Sequence, residues 1–328
     1  MAITLCAAVA LCLTPRSNAQ SCLSAGDLDA ATRTALENAA HRFFDMASRG
    51  DVAGLRQNSI PSLASSFSGI EAAVSDNKAA FAGAQPMPRP PFVLETQGNA
   101  PIARAEFLCG VFGANGQTRD SAVFVLPNLP PGKYSVVILD ITGAKGPYTL
   151  SLVMQQAGTD WKLAGYYAKS AEAGGHDAIW FSDRARQYKA KGQTYNAWFY
   201  FLEARDLMAP VPFMSTLQTD KLYDEAQSVQ PKDLPSGGNT ADLSAGGKIY
   251  KLTEIFPLGV GSDVEIVVKY QTNDISDSAQ TFQNNMAVIK ALVAKYAELR
   301  DAFSGVVARA VEPSGRDYGS LLAMKDIK

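Results

Sequence analysis

The stretch Pro147–Lys169, PYTLSLVMQQAGTDWKLAGYYAK, restricts the fold more than any other part of the chain. Tyr148, Leu150, Leu152 and Met154 alternate with Thr149, Ser151 and Val153, and Trp161, Leu163, Gly165 and Tyr167 alternate again beyond a polar turn at 157–160. Period-two patterning on both sides of a short turn predicts an antiparallel hairpin. It also predicts one apolar face against a core and one face in water, an arrangement antiparallel sheets allow.

Upstream, Leu28, Ala31, Ala35, Leu36, Ala39, Ala40, Phe43, Phe44 and Ala47 form the broad stripe of a helix that stops before Gly50, with Ser24 and Asp27 as its capping box. Asp51 caps a short second helix over 52–57, and a further helix is expected over 70–81. The prolines at 86, 88, 90 and 91 make a stiff extended connection. Strands are then expected at 92–96, 103–112, 121–126 and 133–141, with Asn128-Leu129-Pro130-Pro131-Gly132 as a turn. Helices followed by a run of strands give the α+β class.

The long helix ending in Arg49-Gly50-Asp51, the short helix carrying Leu55, and the closing strand on Asp160-Trp161-Lys162-Leu163 resemble the NTF2-like (SnoaL/ketosteroid-isomerase-shaped) superfamily over about residues 25–169. The resemblance implies a cone, a bent antiparallel sheet around a long helix, with a pocket inside. The Pro-Pro-Gly turn and its following strand also suit a transthyretin-like or fibronectin-like sandwich. A catalytic member of such a family needs a carboxylate base in the cone. Asp45, with His41 one turn before it, is the candidate pair, and a surface pair beside Arg42 is the alternative. Tyr148, Trp161, Tyr167 and, further on, Trp198 are candidate ligand or partner contacts.

Residues 178–190 and 194–208 read as a helical hairpin. Phe181, Ala185, Tyr188, Gly192, Ala197, Phe201 and Ala204 stand at tetratricopeptide-like offsets, so the unit is similar to a single such repeat, and 176–229 is expected to bridge two domains. Residues 230–247 read as a linker. A ββαββ module is expected over 248–328, its helix running from Ser276 to Ser304 on Met286, Ile289, Val293, Tyr296, Leu299 and Phe303. With 328 residues there is room for two domains at roughly 100–200 residues each.

Compartment is read from the start. Residues 1–19 carry an apolar run from Ile3 to Leu13 and then Ser17-Asn18-Ala19, the grammar of a secretory signal, too short to span a bilayer. Its removal leaves Cys22 and Cys109, either a disulfide or a buried thiol and a free one, and a mature chain expected to have no transmembrane segment. A net charge of −2 gives no field for nucleic acid. No paired-Cys, HxH or HExxH spacing calls for a metal, and no Gly-rich phosphate loop for a cofactor. Asn273-Asp274-Ile275-Ser276-Asp277 lacks a calcium loop's spacing and reads as a helix cap. The expected function is that of a secreted or periplasmic, non-catalytic protein that binds a small apolar ligand or an envelope protein. The alternatives are an enzyme with a carboxylate base in the first domain and a structural assembly component.

Overall fold

The computed structural model describes residues 20–110, 118, 120–143 and 145–328; the signal expected at 1–19 lies outside the described residues. Helix α1 (Ala30–Arg49) buries Leu36, Ala39, Ala40, Phe43, Phe44 and Ala47, the stripe set by their spacing. Its cap differs from expectation. Ser24 and Asp27 bond each other in a separate turn, and the helix is capped by Asp29, whose carboxylate accepts from Thr32 N at 2.6 Å. Asp29 directly precedes the first helical residue, the one place from which a short side chain reaches a free N–H of the first turn. Gly50, at φ 73°, ends the helix in the left-handed conformation that glycine adopts without strain. Helices α2 (Val52–Gln57), capped by Asp51, α3 (Pro61–Ala64) and α4 (Ser68–Phe81) follow.

Eight strands come next or flank these helices: β1 (Gln20–Leu23), β2 (Gln85–Pro88), β3 (Phe92–Thr96), β4 (Ile102–Cys109), β5 (Ala122–Leu129), β6 (Gly132–Gly143), β7 (Gly146–Ala157) and β8 (Asp160–Ser170). The main sheet is antiparallel with the order β1-β3-β6-β7-β8, and β2 lies beside β3 along the same edge of β6. The expected hairpin is β7–β8, closed by Ala157 opposite Asp160. Val137, Leu139, Ile141, Leu150, Leu152, Met154, Trp161 and Leu163 meet α1 and α4 on one face. This is the long helix against an antiparallel sheet expected of the α+β class.

The other face is not solvated. Thr149 and Ser151 are buried there, and Ser151 Oγ donates to Pro210 O at 3.3 Å. Strands β4 and β5 leave the main sheet because β2 and β3 already occupy the free edge of β6. They form a second sheet with β11 (Met214–Ser215), in the order β11-β5-β4. Its Ala105, Phe107, Cys109, Ala122 and Phe124 close over Val136, Ile138 and Val153. The first unit is thus three layers: helices, main sheet, small sheet. Cys22 and Cys109 are joined, with Cα atoms 5.2 Å apart, tying β1 of one sheet to the end of β4 in the other.

The rest of the chain runs through β9 (Glu172–Ala173), β10 (His176–Asp177), α5 (Ala178–Ala190), α6 (Thr194–Met208), β11, α7 (Leu217–Gln227), β12 (Ala241–Ala245), β13 (Lys248–Val260), β14 (Asp263–Gln271), α8 (Ser278–Lys295), β15 (Gly305–Val311) and β16 (Asp317–Ala323). The five strands β12 to β16 form one sheet in chain order, parallel only between β14 and β15, where α8 makes the crossover. Two expectations are corrected here. The stretch 230–247 contains β12, because Leu243 and Ala245 alternate inward and are buried. The long helix ends at Lys295 and passes into a 3-10 turn, Ala297–Asp301, where Glu298 accepts from the N–H groups of Tyr195 and Asn196. The α5–α6 hairpin shares one core with this sheet: Tyr188 and Tyr200 donate to the carbonyls of Asp301 and Ala302, and Tyr200 meets Phe303 at 5.7 Å. The helices expected to bridge two domains therefore form part of the second unit's core. Asp277 caps α8, accepting from Gln280 N at 2.9 Å. No helix among the described residues is long and apolar enough to cross a membrane.

Candidate functional site

The expected catalytic pair does not face the interior. Asp45 is exposed on the outer side of α1, where its carbonyl accepts from Ser48 Oγ, and His41 is half-buried beside it. The sheet-facing side of the helix is occupied by Ala40, Phe43, Phe44 and Ala47, all buried. A 3.6-residue period puts positions 41 and 45 about a third of a turn or more from that stripe. The four aromatic candidates are also separated. Trp161 is packed on the helix side of the sheet, and Tyr148 meets Phe81 edge-on at 5.8 Å. Tyr167 is 39% exposed on the opposite face, against Phe213 at 5.4 Å. Trp198 packs on the core of the second unit.

Tyr167 departs from Trp161 and Leu163 because Ala164 is left out of the ladder: Leu163 pairs with Met154 and Gly165 with Val153. That bulge reverses the alternation, so Tyr166, 7% exposed, takes the inward place. The Tyr166 hydroxyl has no hydrogen-bond partner among the described residues, and burial raises its pKa well above the ordinary phenol value. Since a buried hydroxyl left unpaired costs about 1–3 kcal/mol, Tyr166→Phe is expected to raise the urea midpoint of the protein. A lowered midpoint would show that the hydroxyl is paired in solution.

A groove of about 810 Å³ lies on the small-sheet side of the first unit. Ile138 of β6 belongs to its floor by burial, with Phe92 from β3. Phe92 is held edge-on to Phe124 at 5.2 Å. Its walls include the chain leaving β1, Ser24–Gly26, together with Met208 at the end of α6 and Pro210 and Met214 from the chain after it. Met214 is fixed by pairing with Phe124 across β11 and β5. Residues far apart in the chain thus meet at one concavity, and the segment leaving the second unit's helices supplies part of the first unit's site.

The groove is an apolar slot with a polar rim. Its rim carries Arg89, the exposed Asp120, Ser121, Thr216 and Gln218. Arg89 is engaged: its Nε and Nη2 donate to the two Asp140 oxygens at 2.9 and 2.7 Å, so its charge is balanced before any ligand arrives. Ser121 Oγ donates to Gly110 O, and Thr216 caps α7. Gln218 is the rim amide with no hydrogen bond among the described residues that fixes it in place. Two methionines give the wall flexible, polarizable surface that fits irregular apolar bodies. None of His41, Asp45, Tyr148, Trp161, Tyr167 and Trp198 lines this groove. A signal for it did exist: Val211-Pro212-Phe213-Met214 is an apolar run without helical period directly after Pro210, which marks an extended segment needing a partner strand.

Comparisons with protein-family models, with curated proteins and with solved structures each find no match.

Proposed function

We propose that the protein is a secreted or periplasmic, non-catalytic binding protein that holds a small apolar ligand in the groove between Ile138, Phe92, Met208 and Met214. One observation carries the reading: an apolar slot of about 810 Å³, within the range of about 300–1,000 Å³ usual for small-molecule sites, with a few polar groups only at its rim. The balanced Arg89–Asp140 pair, with the Asp120 carboxylate also on the lining, favours a ligand with a neutral polar end over an anion. Export is supported by the Cys22–Cys109 disulfide, a bond that persists in oxidising compartments. In the same reading the first unit is an NTF2-like variant whose β4–β5 hairpin folds back over the sheet, and α5–α6 is a single tetratricopeptide-like hairpin used as a buttress.

The test uses the full chain with its disulfide intact and N-phenyl-1-naphthylamine as probe. Saturable fluorescence enhancement is expected, weakened at least tenfold in Met208→Trp, whose larger side chain fills the slot from a half-buried position. Gln218→Trp, at the rim, is expected to act in the same direction with an unchanged thermal midpoint. Absence of saturable binding, or wild-type affinity in both variants, would overturn the proposal.

A further inference from the structure

A second concavity, of about 740 Å³, lies where α6 passes the end of β8, the β9 segment and β13. Its floor is fixed by a close backbone seam. A Cβ on Gly259 would stand 2.5 Å from Gly174 N, and one on Gly174 would stand 2.7 Å from Asp263 O. Both places therefore require glycine, and the strand of one unit is held directly against the exit of the other. The walls are largely apolar: Leu202 and Leu207 on α6, Phe256 and Leu258 on β13, with Leu258 41% exposed.

Five charged side chains line this cleft: Lys145, Lys169, Glu172, Glu203 and Asp206. The lining residues of β13 carry none. Lys169 is committed, because its ammonium donates to the backbone carbonyl of Asp206 and sits 3.3 Å from that residue's carboxylate. Glu203 is different. It is half-buried on α6, one turn before Leu207, and has neither hydrogen bond nor ion pair among the described residues. Burial, then the neighbouring Asp206 carboxylate, push its pKa up to about 7, with Lys169 opposing. With two lysines against three carboxylates on its lining, and Lys169 engaged with Asp206, the cleft carries one excess carboxylate among apolar walls. A carboxylate so placed gains most from an opposite charge that brings its own hydrogen-bond donors.

We propose that this cleft is a second ligand site, which takes a protonated primary amine on a short aliphatic body, with Glu203 as the anion that receives the ammonium. The ammonium supplies three donors to a carboxylate that has none, and the aliphatic part covers Leu202, Leu207 and Leu258. The site is independent of the apolar groove: it is lined by different residues and takes a ligand of different charge.

The sign of the pH dependence follows. Glu203 is ionised above about pH 7 and an aliphatic amine stays protonated to about pH 10. Amine binding should therefore strengthen from pH 5.5 to 8.5 and be accompanied by proton release near pH 7. The experiment is calorimetric titration of the full chain with hexylamine, with 1-hexanol as the neutral control. Saturable binding of hexylamine, at least tenfold weaker hexanol binding, and at least tenfold weaker hexylamine binding in Glu203→Gln are expected. Glu203→Gln keeps shape at a half-buried position, and its fold is checked by an unchanged thermal midpoint. Equal affinity in Glu203→Gln, equal binding of hexanol, or an affinity that does not change between pH 5.5 and 8.5 would overturn the proposal.

Discussion

Phe81→Ala is expected to destabilise the protein by about 3–5 kcal/mol, the range for removing a buried phenylalanine without repacking. Phe81 is 1% exposed and closes α4 against two other elements at once, with Phe44 of α1 at 5.6 Å and Tyr148 of β7 at 5.8 Å. Its removal opens a cavity where three elements converge, and the β-sheet beneath is held by long ladders that limit collapse into the space. Phe81→Leu should recover most of the loss, since much of the volume returns. Urea unfolding followed by circular dichroism reads the midpoint, and hydrogen exchange locates the loss in β6 and β7. Asp45→Asn, on the outer side of α1, should leave both readouts unmoved. A small effect at Phe81 together with a large one at Asp45 would mean that α1 presents its other face to the sheet, and the catalytic reading of His41 and Asp45 would return.

The contrast between those two positions shows what sequence carries well. Periodicity assigns a residue to a face, so the inner stripe of α1, the β7–β8 hairpin and the strands around α8 are all legible from apolar spacing alone. Partner choice is another matter. Ala105, Phe107 and Cys109 alternate as any half-buried strand would, and nothing local to them says that β6 has no free edge left. The same limit hides the groove, whose walls come from Ser24–Gly26, Phe92, Ile138 and Met208–Gln218. The bulge at Ala164 is silent for a different reason: Ala164 and Gly165 are both small, so neither marks which way its side chain points. Glu203 reads as one more charge on a helix, and only the packing of β8 and β13 beside α6 gives it a half-buried, unpaired setting.

Loss of the Cys22–Cys109 bond should lower stability by roughly 2–4 kcal/mol, because the crosslink removes freedom from the unfolded chain over a long loop. The two residues are 87 positions apart, and the bond joins the edge strand of the main sheet to the edge strand of the small one. Beside it, Gln20 Oε1 accepts from Glu106 N at 2.6 Å, a contact too exposed to hold the two sheets by itself. Strand β1 has four residues and, among the described residues, pairs only with β3, so without the bond its release is the cheapest opening available to this edge. The consequence reaches the groove, since Ser24–Gly26 leave β1 to form one of its walls. Dithiothreitol-reduced protein and the Cys22→Ala, Cys109→Ala double variant should therefore agree in two respects. Both should unfold at lower urea, and both should bind N-phenyl-1-naphthylamine several-fold more weakly under conditions where circular dichroism still reports a folded chain. If stability falls while probe affinity is untouched, the wall at Ser24–Gly26 is held by its own turn at Ser24 and Asp27, and the disulfide serves the fold alone.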